Sequence, residues 1–216
     1  MPIDFYYIPA SAPCRAVLLA AKVVGVELNL KIVDLMKGEN LTPEFLKINP
    51  QHTVPTIDDN GFSLWESCAI MTYLVSKYGK DESLYPKDPQ IRASIDQRLF
   101  FDVGTLYARF GNYFYPVMFA GQSFDPDKLT KLHDAVKFFD TFLEGHDYAV
   151  GNNLTVADLS LVSTVSTIDA MEVDLSSYKN VLRWYNKIKT TVPGYEELNG
   201  KNAILFKKWA DSLIKK

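Results

Sequence analysis

Ile3-Asp4-Phe5-Tyr6-Tyr7-Ile8-Pro9-Ala10-Ser11-Ala12-Pro13-Cys14-Arg15 is the stretch on which the fold turns. Its first six residues are rich in β-branched and aromatic types and read as a strand. Pro9 to Pro13 is a turn, and from Cys14 to Val24 the apolar residues Val17, Leu18, Ala21 and Val24 fall at helical spacing. Leu28 to Leu35 alternates as a second strand, and Pro43 to Ile48 reads as a short helix ending before Asn49-Pro50. Residues 54–65 read as two strands around an Asp-Asn-Gly turn. Glu66 to Tyr78 is an amphipathic helix with Ile70, Tyr73, Leu74 and Tyr78 on one face. The order βαβαββα describes a small mixed sheet with helices packed on it.

Beyond Tyr78 the pattern changes. Residues 79–89 hold Gly79, Pro86, Pro89 and several charges, as a linker does. From residue 90 the apolar period is helical, over 90–119, 127–143, 155–170, 178–190 and 201–214, so the second part is all-α. The expected division is 1–79, a linker over 80–89, and 90–216. Thr155-Val156-Ala157-Asp158 has the form of a capping box, with Leu154 and Leu159 placed as a hydrophobic staple. Asp158 is therefore read as structural.

Bulk properties narrow the function. The 216 residues are 47% hydrophobic and 23% charged with a formal net charge of −3, an ordinary globular balance with no basic block to neutralise nucleic-acid phosphates. No apolar run approaches a membrane span, and the N-terminus shows no cleavable leader. Two cysteines, Cys14 and Cys68, form no CxxC pair, and three scattered histidines suggest no metal site. These features point to a cytoplasmic protein with reduced thiols.

Several residues could carry chemistry. Ser11 lies at a helix start, where free N–H groups and the helix dipole favour an anion. Its hydroxyl could cap the helix, donate to a bound thiolate, or do both. Cys14, one turn further on without a CxxC partner, reads as a buried structural cysteine. In Asn49-Pro50-Gln51-His52-Thr53-Val54-Pro55-Thr56 a cis bond before Pro55 would turn the Val54 backbone outward to pair with a peptide-like ligand. His52 beside it could hold a carboxylate. Ser67 at the next helix start suits a carboxylate, and Glu66 an ammonium. Together these groups suit a zwitterionic thiol peptide. Tyr107, Phe110, Tyr113, Tyr115, Met118 and Phe119 form a stripe that serves either as core or as the wall of an apolar ligand site.

The runs Phe5-Tyr6-Tyr7 with Ser11 to Arg15, Lys47 to Thr56, Leu64 to Ser67, Gln97 to Leu99 with Phe101 to Tyr107, and Leu154 to Leu159 resemble cytosolic glutathione transferases, most of all the insect delta class. The resemblance runs essentially end to end. It implies a thioredoxin-like N-terminal domain, an all-helical C-terminal domain and a homodimer that conjugates glutathione to small hydrophobic electrophiles. By the same resemblance Ser11 favours the glutathione thiolate, His52, Val54 and cis-Pro55 hold its glycyl and cysteinyl parts, and Glu66 and Ser67 hold the γ-glutamyl end. Asp102 would reach the γ-glutamyl group of the other subunit. The aromatic stripe would line the electrophile site, closed by Phe206 or Trp209. The sequence departs from the delta pattern at Cys68, where Arg is usual, and at Asn40 and Ala10, where His and Gly are frequent; the first departure implies a weakened glutathione site. A binding protein for apolar ligands is the rival class. A thiol–disulfide oxidoreductase is disfavoured by the serine and the absent CxxC, while peroxidase or dehydrohalogenase side activity needs no protein thiol.

Overall fold

The computed structural model describes residues 2–214. Among these, four strands form one sheet: β1 (Ile3–Tyr7), β2 (Leu28–Ile32), β3 (Thr56–Asp59) and β4 (Phe62–Trp65), in the order β2-β1-β3-β4. β1 and β2 pair in parallel, and β3 runs antiparallel to both β1 and β4. The parallel pair requires a crossover, supplied by α1 (Ala12–Val24). Ile3, Phe5 and Tyr7 of β1 are buried while Asp4 and Tyr6 are half-buried, the alternation of a covered sheet face. Asn60 and Gly61, both at positive φ, make the β3–β4 turn, as the Asp-Asn-Gly signal predicts.

α3 (Ser67–Tyr78) lies beside α1, while α2 (Pro43–Ile48) sets Phe45 edge-on against Tyr6, 5.6 Å between ring centroids. Tyr73 and Tyr78 do not join Ile70 and Leu74 in the core. Their hydroxyls donate to the Asp59 carboxylate, each at 2.6 Å, and Lys77 Nζ reaches the same oxygen at 2.7 Å. This cluster ties the hairpin to α3.

The second part contains α4 (Pro89–Phe101), α5 (Tyr107–Ala120), α6 (Pro126–Phe142), α7 (Val156–Ala170), α8 (Lys179–Thr191) and α9 (Lys201–Leu213). α7 is the central helix, buried without a break from Val156 to Ile168. A helix enclosed on all sides must satisfy its polar residues internally, and its serines and threonines do so: Ser163 Oγ donates to Leu159 O and Thr167 Oγ1 to Ser163 O. Asp158 closes the expected capping box and also accepts from Ala149 N and Trp184 Nε1. The fold is therefore thioredoxin-like followed by all-helical.

Three local expectations differ. β2 stops at Ile32, and a 3₁₀ turn over Leu35–Lys37, capped by Asp34, replaces the end of the predicted strand. α3 begins at Ser67 because Glu66 sits at φ 70°, outside helical space. The helix predicted over 90–119 is interrupted by a π-type turn at Asp102–Leu106.

Candidate functional site

A cavity of about 730 Å³ opens where the sheet's helix-start end meets α5 and α9. Ser11 stands on its wall as the N-cap of α1, with Pro13 in the first turn where a missing N–H leaves no bond unmade. Its oxygen accepts from Cys14 N at 3.5 Å, a long contact that leaves the hydroxyl available to a ligand. Cys14 is fully enclosed, and burial pushes its thiol up to about 11, so it is no nucleophile.

The His52–Val54 wall is held by one buried amide. Asn49 Nδ2 donates to Thr53 O, Thr53 Oγ1 and Thr56 Oγ1, and its Oδ1 accepts from Gln51 N. Asn40 Nδ2 reaches His52 O at 2.9 Å, and His52 takes positive φ. The Val54–Pro55 peptide is cis.

Glu66 and Ser67 mark the start of α3, Glu66 exposed and Ser67 buried. Beneath Ser67 lies a second void of about 20 Å³, bounded also by Ala12, Pro13, Asp102, Ser160 and Thr164. Asp102 is buried there. One oxygen accepts from Ser160 Oγ at 2.5 Å and the other has no partner. Burial raises this carboxyl to about 6. Cys68, half-buried nearby, is pushed up to about 12 by burial and by Asp102.

Models of two domains match the chain: the glutathione S-transferase N-terminal domain over residues 1–76 and the glutathione S-transferase C-terminal domain over 70–190. The chain belongs to the glutathione S-transferase family. A Nilaparvata lugens delta-class glutathione transferase shares 58% identity, with 98% of this chain and 100% of that one covered and a TM-score of 0.96. A Bombyx mori glutathione transferase shares 48% over 97% and 98%, with a TM-score of 0.94. A Drosophila mojavensis glutathione transferase homolog with bound glutathione shares 37% over 98% and 97%, with a TM-score of 0.92.

Within this transferase the expected site residues separate into three groups. Ser11, His52 and Val54 share the large cavity with Tyr107, Tyr115, Phe119, Phe206 and Trp209. Ser67 and Asp102 border the small void, with Cys68 and Glu66 close by, and Pro13 and Tyr107 belong to both spaces. Phe110, Met118 and Tyr113 do not reach the large cavity. Phe110 and Met118 are buried core, and Tyr113 packs at 4.7 Å on Phe114 and 5.1 Å on Phe124. Asp102 is enclosed by residues of the same chain rather than displayed at its surface.

Sequence reading missed the wall formed by Ile32, Val33, Asp34, Leu35 and Met36, together with Leu205. Asp34 followed by Gly38 is the available signal: a cap and a left-handed stop bracket a turn, not a strand. Among the described residues no group of three or more His, Cys, Asp or Glu is arranged to hold a metal, and no helix is long and apolar enough to cross a membrane.

Proposed function

We propose that this transferase ionises bound glutathione beside Ser11 and directs its sulfur at small apolar electrophiles held in the large cavity. The observation that carries this reading is Ser11 itself: a weakly engaged hydroxyl at a helix N-terminus, on the wall of a mostly apolar cavity that it shares with Tyr107, Tyr115, Phe119, Phe206 and Trp209. The thiol releases its proton to solvent. The thiolate, stabilised by the Ser11 hydroxyl and the α1 N-terminus, forms the C–S bond as the leaving group departs with its electron pair. Apolar walls supply proximity.

His52 and the Val54 backbone would hold the glycyl and cysteinyl parts of glutathione, Glu66 and Ser67 the γ-glutamyl end. Residues 1–79 would carry the glutathione half and 90–216 the electrophile half, joined over 80–89. A homodimer in the cytoplasm fits a chain with both thiols free and with Phe62, Phe100 and Val103 left exposed. Peroxide reduction and dehydrohalogenation would need the same thiolate and no further group.

Conjugation of an aromatic halide by wild type and Ser11→Ala tests the reading. Loss of one donor to a developing or resident anion costs about 10²–10³ in kcat. Turnover that survives the substitution within twofold would remove Ser11 from the mechanism.

A further inference from the structure

Arg15 carries a charge that no carboxylate answers. Its side chain is fully buried beneath α1 and spans to the central helix and the turn before α9. Nη1 donates to Ser166 Oγ at 3.1 Å, Asn199 O at 3.2 Å and Asn199 Oδ1 at 2.7 Å. Nη2 donates to Ser163 O at 3.2 Å and to Thr167 Oγ1. Every acceptor is neutral, Nε has no partner, and no ion pair among the described residues includes Arg15. Burial lowers the guanidinium only to about 10, so it stays charged at neutral pH.

The titratable groups around it are also uncharged there. Burial raises Cys14 on its own helix, Tyr107 at the start of α5, Tyr185 on α8 and Tyr195 before the last helix. The carboxylates on the elements packed around it are Asp169, Glu196 and Glu197, all exposed, and the buried Asp102. Asp102 lies on the small void that Ala16 and Tyr107 also border, is raised by burial to about 6, and is bonded by Ser160 rather than by Arg15. Asp169 accepts from Tyr185 Oη at 3.2 Å and has Lys189 at 4.0 Å. The glutathione side offers Asp34 and His52, on the opposite wall of the large cavity. A lone charge in such surroundings is screened weakly, and its field extends well beyond its hydrogen bonds. Arg15 is tied to the cavity wall by position: its backbone N–H donates to Ser11 O at 3.0 Å across the first turn of α1, and Ser11 lines the cavity with Tyr107.

We propose that Arg15 is a positioning residue for the conjugation reaction: an uncompensated buried cation, one helical turn behind Ser11, that helps keep the glutathione sulfur ionised. This rests on Ser11 facing that sulfur. The α1 N-terminus supplies a partial charge at short range, and Arg15 adds a full charge further back. Two unit charges roughly 10 Å apart at an effective dielectric of about 20 shift one another's ionisation by about one pH unit.

Asn199→Asp tests the field without removing Arg15. The exchange is isosteric, and it sets a carboxylate where Asn199 Oδ1 now meets Nη1 at 2.7 Å. The partnered guanidinium keeps its hydrogen bonds, and Ser166 Oγ, which accepts from Asn199 Nδ2 at 2.9 Å, can donate to the new carboxylate instead. Thermal stability should therefore hold, while the acid limb of the kcat/KM–pH profile moves up by about 0.5 to 1 unit. Ultraviolet absorbance of the bound thiolate should titrate with it. Arg15→Lys reverses the pairing of effects: it keeps the charge and loses bonds, so Tm falls while the limb moves less than with Asn199→Asp. A limb that follows Tm across both variants, or that stays put in folded Asn199→Asp, overturns the proposal and leaves Arg15 as a strut. Failure of Ser11→Ala to slow turnover would instead strike the site reading beneath it.

Discussion

Asp102 and Cys68 show how much one residue's surroundings decide. A buried carboxyl whose second oxygen has no donor favours its protonated form, and Asp102 is raised to about 6 against 3.8 when exposed. Between those values the native chain keeps a proton that the unfolded chain has released, so this group's contribution to stability declines as pH rises from about 4 to about 6 and stays low above. The full difference is worth up to about 3 kcal/mol. Asp102→Asn has no such dependence. Urea unfolding at pH 4 and pH 8 should find the variant gaining on wild type by about 1–3 kcal/mol between them; parallel profiles would show that the carboxyl is solvated in solution. Cys68 offers only a weak thiol donor beside this group. On the proposed mode of glutathione binding, the guanidinium of Cys68→Arg would meet the γ-glutamyl carboxylate, and a charge-assisted contact of about 1.5–3 kcal/mol would tighten glutathione binding by one to two decades. Calorimetry giving equal affinities would dismiss that account of the departure.

Among the elements, those set by local chemistry were legible and those set by packing were not. Asn60-Gly61 and Thr155-Asp158 each act within four residues, and both appear as read. The aromatic stripe fared differently. A π-type turn at Asp102–Leu106 adds a residue to the helical path, rotating α5 by about 100° relative to an unbroken helix. Tyr107, Tyr115 and Phe119 then face the cavity, Phe110 and Met118 the core, and Tyr113 the side toward Phe124. Spacing alone carries no sign of that phase. Arg15 escaped notice for a related reason, because its partners Ser163, Ser166 and Asn199 lie about 150 to 180 positions away in the chain. At the head of α7, Asp158 unites four donors: Ala149 N, Thr155 N, Thr155 Oγ1 and Trp184 Nε1. Asp158→Ala strands them in a dry core, and urea unfolding should record a loss of about 3–5 kcal/mol with glutathione contacts untouched. A cost under 1 kcal/mol would mean water replaces the carboxylate.

At the scale of the whole molecule, the two parts build one cavity between them, while a separate set of apolar side chains stays uncovered. Phe100, three-quarters exposed, and Val103 lie three apart on the path from α4 into the π-type turn, and Phe62 projects from β4. Scattered single residues of this kind are ordinary, but Phe100 and Val103 fall on one stripe, as a surface matched to its own copy requires. In a two-fold dimer each stripe meets the same elements of the partner, so one substitution is felt twice. Phe100→Glu should then convert a species of twice the chain mass into monomer by light scattering at micromolar concentration, and Val103→Glu should act in the same direction. Ser11 and its cavity lie on other elements, so a monomeric variant that still binds glutathione would separate assembly from the site. Wild type of single-chain mass throughout the concentration range would refute the homodimer outright.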